Sequence, residues 1–276
     1  MMSQSKVAFI TGGSAGMGKA AAVIFKQNGY EVYTGARRMD KMADLEKLGI
    51  HIMKLDVTDH ASNAAAVERI LKEQGRIDVL VNNAGYGAFG AVEDVTLDEA
   101  RRQLDVNLFG AADLTRLVLP TMRQQRSGRI INISSTGGRM YLPLGAWYAA
   151  SKHALEAYTD SLRLEVKSLG IHPIIIEPGG TATEWQQVTN DNMLASTPTD
   201  SPYRHLVEQF ASIKLSEFLT AEDVARIIYK SATDARPKHR YVPGFGNRAL
   251  LFVIKHAPTA VTDRLIGSMM KRLTRK

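Results

Sequence analysis

An apolar run, Lys6-Val7-Ala8-Phe9-Ile10, passes at once into Thr11-Gly12-Gly13-Ser14-Ala15-Gly16-Met17-Gly18 and then into a helical pattern over Lys19–Gln27 that stops at Asn28-Gly29. Strand, glycine turn and helix in that order open a βαβ unit, which commits a chain to parallel strands joined by crossover helices. Glycines at 12, 16 and 18 let the backbone approach a diphosphate closely. The helix start behind them offers free N–H groups and a positive dipole end. The spacing is Gly-x-x-x-Gly-x-Gly, not Gly-x-Gly-x-x-Gly, so a plain tight turn competes with a phosphate site. Its place straight after the first strand favours the phosphate.

The same punctuation recurs along the chain. Tyr30–Ala36 reads as a second strand, Asp40–Leu48 as helical and Ile50–Leu55 as a third strand. Thr58 or Asp59 suits the N-cap of a helix running to Gln74. Ile77–Val81 is a fourth strand, ending in Asn82-Asn83-Ala84-Gly85, where the asparagines suit bonding to loop backbone. A long helix over about Leu97–Arg126 carries Asn107, a poor helix former that needs a local reason. Arg129–Ile133 is a fifth strand ending in Ser134-Ser135. A sixth ends at Ile176 before Glu177-Pro178-Gly179, and Pro173 suggests that it begins only near Ile174. Thr220-Ala221-Glu222-Asp223 has the spacing of a helix cap, and Arg240–Gly244 is a candidate seventh strand. The fold class expected is α/β: a Rossmann-like, doubly wound parallel β-sheet, with ligands at the carboxyl ends of the strands.

Composition narrows the class. At 276 residues, 45% hydrophobic and 23% charged, the chain suits one globular domain with a large core. With no cysteine it has no disulfide, thiolate metal site or cysteine nucleophile, in keeping with a reducing, cytoplasmic setting. Met1–Lys6 is too short and polar for a signal peptide, and no apolar run reaches membrane-spanning length. The net charge of +7 reads as a solvated basic surface, concentrated at the C-terminal end. No base-stacking or groove-reading motif accompanies it, so no nucleic-acid partner is expected.

Two constellations carry chemistry. Tyr148 and Lys152 are four residues apart, one turn along one helix face. An ammonium beside a phenol favours phenolate, and so is expected to lower the tyrosine pKa toward values useful for proton exchange. The second strand ends in Ala36 followed by Arg37-Arg38, where an Asp or Glu would bind the free 2′-hydroxyl of NAD. A guanidinium pairs with a phosphate instead, which points to NADP(H). Asp56 suits an adenine contact or only the bracing of its own turn.

Thr11-Gly12-x-x-x-Gly16-x-Gly18, Asn82-Asn83-Ala84-Gly85, Asn107, Ser135, Tyr148-x-x-x-Lys152 and Pro178-Gly179 with Thr183, in this order and on these elements, resemble the short-chain dehydrogenase/reductase family over about residues 5 to 245. Ser135 is preferred to Ser134 because it precedes Tyr148 by thirteen residues, the family's usual spacing. The resemblance implies Tyr148 as general acid or base, Ser135 as the holder of the substrate oxygen, and Lys152 as the group that tunes Tyr148 and bonds the nicotinamide ribose. It implies Asn107 as the holder of a relay water. Gly12, Gly16 and Gly18 would cradle the diphosphate, with Ser14 and Met17 beside them, and Arg37 and Arg38 would take the 2′-phosphate. Asp56 and Val57 would flank adenine, Asn83, Ala84 and Gly85 the ribose side, and Pro178, Gly179, Thr181 and Thr183 the nicotinamide. No metal is required, and a homodimer or homotetramer is implied.

Within a single domain spanning 1–276, residues 5–183 are expected to form the cofactor-binding and catalytic core, 184–217 a substrate lid and 247–276 a C-terminal extension. Tyr86, Phe89, Met140, Tyr141, Leu142, Trp185 and Val188 fall near the expected mouth and favour a hydrophobic carbonyl or alcohol: steroid-, retinoid- or lipid-like. The extension interleaves apolar and basic residues. Packing on the pocket or a partner subunit is favoured over peripheral membrane contact. The expected function is an NADP(H)-dependent oxidoreductase working on a carbonyl/alcohol pair. The alternatives are an NAD-preferring enzyme of the same fold or a non-catalytic NADP(H)-binding regulator.

Overall fold

A computed structural model describes residues 5–182, 184–213 and 219–273. In chain order the larger elements are β1 (Val7–Thr11), α1 (Gly16–Gln27), β2 (Glu31–Ala36), α2 (Ala43–Lys47), β3 (His51–Lys54), α3 (His60–Gln74) and β4 (Val79–Asn82). Then come α4 (Leu97–Leu104), α5 (Gly110–Gln125), β5 (Gly128–Ile133), α6 (Ala146–Glu165) and β6 (Ile171–Ile176). They are followed by β7 (Thr181–Ala182), α7 (Glu184–Ser196), α8 (Arg204–Ala211), β8 (Leu219–Thr220), α9 (Ala221–Thr233), β9 (Arg240–Tyr241), α10 (Phe245–His256) and α11 (Thr259–Leu273).

Seven strands form one parallel sheet in the order β3-β2-β1-β4-β5-β6-β9. The order reverses direction between β1 and β4, which opens a crevice at the carboxyl edge of the sheet. Strand alternation divides the core cleanly. Ala8 and Ile10 of β1 pack with Ala21, Ala22 and Phe25 of α1 and with Val224 and Ile228 of α9. Val7 and Phe9 face the other way, onto Val67 and Ile70 of α3, Leu114 and Val118 of α5 and Leu162 of α6. Each fully buried side chain of this size stabilises the fold by ~1.5–3 kcal/mol.

The expected helix ends are largely those observed. The Asp59 carboxylate accepts the Ala61 N–H at the start of α3, and Thr220 and Asp223 form a reciprocal capping box on α9. One strand boundary needs correction. β6 begins at Ile171, with Pro173 in register opposite Ile130. The neighbouring odd-numbered residues Ile175 and Glu177 donate their N–H groups toward β9, to His239 and Tyr241, and β9 pairs only with Ile175 and Ile176. Pro173 therefore lacks an N–H only where no strand would receive it.

A third apolar cluster sits over the carboxyl edge, built from residues outside the sheet. Met193 of α7, Val207 and Phe210 of α8 and Ile266 of α11 close on Phe89, Met140 and Leu144. Leu250 and Ile254 of α10 and Met269 of α11 pack against it. The 184–217 segment and the C-terminal extension thus both cover the same edge, although 214–217 lie outside the described residues. The short pair β7–β8 joins the chain just before the 184–217 segment to the chain just after it, at the start of α9. Among the described residues, no helix is long and apolar enough to cross a membrane.

Candidate active site

The glycine loop is built by close approach. Gly12 (φ +74°) and Gly16 (φ +56°) adopt left-handed backbone that favours glycine. A Cβ on Gly18 would lie 2.3 Å from the Asn83 amide nitrogen and 2.6 Å from Gly12 O. Asn83 holds the loop from β4: its Nδ2 donates to Thr11 O at 2.9 Å. Thr11 Oγ1 accepts the N–H groups of Asn83 and Ala84 at 3.0 and 2.9 Å. Behind the loop, Ala15 gives the N-terminus of α1 no side-chain cap, so its leading N–H groups keep their capacity for an anion. Glycine at 18 thus lets α1 pack directly on Gly12 and Asn83, and the loop with its uncapped helix start has the donor chemistry to fit a diphosphate. Sequence reasoning passed over Thr11 and Gly13; a Cβ on Gly13 would lie 2.0 Å from Thr34 Oγ1.

Arg37 and Arg38 follow β2 and are exposed. Arg38 Nη2 donates to Ser14 Oγ at 3.3 Å, which joins the end of β2 to the glycine loop. Burial pushes the Asp56 carboxyl up. Bonds from Thr58, and then the charges of Arg37 and Arg102, outweigh it and hold the group below its usual range. Asp56 Oδ1 accepts both the N–H and the hydroxyl of Thr58, so it braces its own turn. Val57 is buried against Gly110, where a Cβ would lie 2.7 Å from Val57 O.

Ser135 ends the stretch after β5, and its Oγ accepts the Gly137 N–H at 3.1 Å. A Cβ on Gly137 would lie 3.5 Å from that hydroxyl and 3.2 Å from the Tyr148 ring. Ser135 and Tyr148 are thus neighbours, within hydrogen-bonding reach. Lys152, one turn further along α6, is buried and donates from Nζ to Ile133 O at 2.9 Å. Asn107 lies in a π-helical turn, Asp105–Phe109, between α4 and α5. Its amide donates to Tyr86 O at 2.9 Å and to Ser151 Oγ at 3.0 Å, while Oδ1 accepts the Tyr86 N–H at 3.0 Å. The wider turn supplies the local reason for an asparagine in mid-helix, as such turns do at functional sites. Asn107 Oδ1 and Lys152 Nζ both border Gly85, 3.0 and 3.6 Å from where its Cβ would be. Ser151, which accepts from Asn107 and donates to Tyr148 O, links Asn107 to the Tyr148 backbone and escaped notice in the sequence.

The electrostatics correct one expectation. Burial holds the Tyr148 pKa above its ordinary value where a fall was expected, and the Ser135 hydrogen bond opposes that rise. The ammonium lies 5.8 Å from the ring centroid. Burial draws Lys152 itself down to about 8, against the carboxylate of Glu156. At neutral pH Tyr148 is therefore a phenol, a proton donor.

Pro178 O accepts the Thr136 N–H at 2.9 Å, so the loop after β6 is fastened to the Ser135 turn. Thr181 Oγ1 donates to Gly179 O at 3.2 Å, and a Cβ on Gly179 would collide with the Asn247 amide at 2.5 Å. Thr183 lies outside the described residues. Of the mouth residues, Phe89 and Trp185 flank Tyr148, with ring centroids 5.1 and 5.6 Å away. Met140 and Leu142 join the same cluster. Tyr86 instead bonds to Glu99, Tyr141 is exposed and bonds to Asp263, and Val188 is exposed. A separate groove of about 620 Å³, bordered by Phe109 and Arg116 of α5 and Tyr158 and Leu162 of α6, lies away from these groups.

The chain is similar to known proteins over most of its length. Residues 6–194 match the family described as short chain dehydrogenase. A probable short-chain type dehydrogenase/reductase, VdlC, of Helicobacter pylori is 32% identical over 262 residues, covering 94% of this chain and 96% of that protein. A 3-ketodihydrosphingosine reductase of Bacteroides thetaiotaomicron is 40% identical over 198 residues, covering 71% and 72% of the two chains. Among solved structures, a short-chain dehydrogenase from Streptomyces avermitilis superposes with a TM-score of 0.80 at 30% identity, covering 98% of this chain and 97% of the other. The closed form of a serine dehydrogenase complexed with NADP+ gives 0.72 at 28% identity, covering 86% and 93%. The chain belongs to the short-chain dehydrogenase/reductase family of oxidoreductases.

Proposed function

We propose that this protein is an NADP(H)-dependent reductase of a hydrophobic ketone or aldehyde, able to run in reverse on the secondary or primary alcohol. The observation that carries the reading is the Ser135–Tyr148 pair, with a buried lysine one turn along and an amide-lined relay behind. A nicotinamide bound against the glycine loop and the 178–181 loop would supply or accept the hydride. The chain's own residues do the rest. Ser135 Oγ holds the carbonyl oxygen, and the Tyr148 hydroxyl gives it a proton. Raised by burial, the hydroxyl keeps its proton at neutral pH and gives it up as charge builds on the carbonyl oxygen. Lys152 and Asn107 return the proton to Tyr148 from solvent.

Support for NADP(H) comes from Arg37 and Arg38 beside Ser14, and from the NADP+ complex of the serine dehydrogenase relative. Support for an apolar substrate comes from Phe89, Met140 and Trp185 around Tyr148, and from a relative named for reduction of a 3-keto compound. The groove on α5 and α6 is the surface on which a second copy would pair in a cytoplasmic homodimer or homotetramer.

The test is NADPH oxidation against a panel of apolar ketones, aldehydes and quinones, with Tyr148→Phe as control. Turnover should fall ~10²–10⁴-fold in the variant. A folded wild-type protein that binds NADPH yet oxidises none of it would favour the regulator instead.

A further inference from the structure

Tyr148, Lys152, Glu156 and Asp160 recur at four-residue intervals, so they run along one side of α6. The reductive site uses the first two. Glu156 is 5% exposed, an unusual burial for a carboxylate outside that site. Its Oε2 accepts from Arg240 Nε and Nη2 at 3.1 and 3.0 Å, a forked contact from β9, eighty-four residues away in sequence. Oε1 turns the other way. A Cβ on Gly138 would lie 3.1 Å from it and 2.5 Å from Ser134 Oγ, so the carboxylate abuts the turn that begins at Ser135.

The surrounding charges come from every element packed here. Arg240 also meets Asp160 of α6 and, at 2.9 Å, Glu177 at the end of β6. Asp160 is shared with Arg163 at 3.4 Å, and Glu177 with Arg139 of the Ser135 turn at 3.3 Å. Ser134 is buried beside Glu156 at the end of β5. The Lys152 ammonium, 6% exposed, has its one protein hydrogen bond with a neutral carbonyl, and among the described residues Glu156 is the carboxylate that acts on its charge. A buried ammonium with no counter-charge would lose its proton.

Resting on the reading of Lys152 as part of the reductive site, we propose that Glu156, clamped by Arg240, is a positioning residue that acts through Lys152: it supplies the counter-charge that keeps the ammonium protonated near neutral pH. Arg240 sets how much of that charge Lys152 feels, because it holds the carboxylate from the opposite side. The two groups titrate close together. Burial and Glu177 push Glu156 up to about 7, and burial draws Lys152 down to about 8. Removing the Glu156 charge lowers the Lys152 pKa further; removing Arg240, whose bonds and charge favour the ionised carboxylate, lets Glu156 take up a proton and lowers Lys152 in the same direction.

The test follows the ¹³Cε signal of Lys152 through a pH titration of the labelled full chain, with assignment by Lys152→Met. This readout needs no turnover, so it stands even where the panel of carbonyls yields no activity. Glu156→Gln should move the midpoint down by about one pH unit. Glu156→Asp should stay near wild type, and Arg240→Gln should move it down as Glu156 loses its charge. Should turnover be found, the rising side of its pH–rate profile should shift with the NMR midpoint. A folded Glu156→Gln protein with an unmoved midpoint would overturn the proposal and leave only a structural clamp. Should that variant not fold, an upward or absent shift in Arg240→Gln would overturn it equally.

Discussion

At position 36, where an acid would meet a free ribose hydroxyl, the chain carries a buried alanine, and the next two residues are exposed arginines. Arg38 already touches Ser14 of the glycine loop, and Arg37 acts on Asp56, just past the end of the neighbouring strand β3. Both guanidiniums thus border the place where a 2′-phosphate would project. Arg37→Ala with Arg38→Ala should raise the KM for NADPH about 10- to 100-fold and that for NADH little, since each lost charged bond is worth ~1.5–3 kcal/mol. Equal losses for the two cofactors, measured by steady-state kinetics, would contradict the assignment. The NADP(H) proposal rests here on residue type and position. For Tyr148 the sequence did not reveal the pKa direction, which burial sets. Spacing reveals a neighbouring ammonium but not the aromatic and aliphatic wall of Phe89, Trp185 and Met140 that desolvates the phenol.

At the scale of elements, the sequence pattern located every strand of the large sheet, because each is a short apolar run closed by glycine or polar residues. What it mistook depends on neighbours. Pro173 argues against a strand only where a partner awaits its N–H, and β9 is too short to offer one. The π turn at Asp105–Phe109 carries no periodic signal beyond an ill-suited asparagine. That asparagine closes three bonds, two of them to Tyr86 backbone. Asn107→Ala would leave the Tyr86 N–H and C=O unpaired, and should cost about 2 kcal/mol in urea unfolding with helix content unchanged. It should also slow carbonyl reduction. A variant of unaltered stability and rate would remove Asn107 from the account.

For the molecule as a whole, the strand order brings to one edge groups that are far apart in the chain: the loop after β1, the arginines after β2, the asparagines after β4, Ser135 after β5 and Pro178 after β6. The family motifs made that convergence legible before any coordinates. The cover was not, because α7, α8, α10 and α11 meet through irregularly spaced apolar residues such as Met193, Phe210 and Ile266, which follow no motif. Cover and edge pack apolar side chains around Tyr148, and the proposal that its phenol gives a proton to a carbonyl as hydride arrives is the central claim. Its most direct measurement is isotope transfer from NADPH deuterated at the transferable C4 position to a ketone that the protein reduces, with the alcohol product read by mass spectrometry and NMR. The account predicts one deuterium on the carbinol carbon per turnover, at a rate ~10²-fold or more lower in Tyr148→Phe. An alcohol without deuterium at that carbon, or a Tyr148→Phe enzyme as fast as wild type, would contradict it.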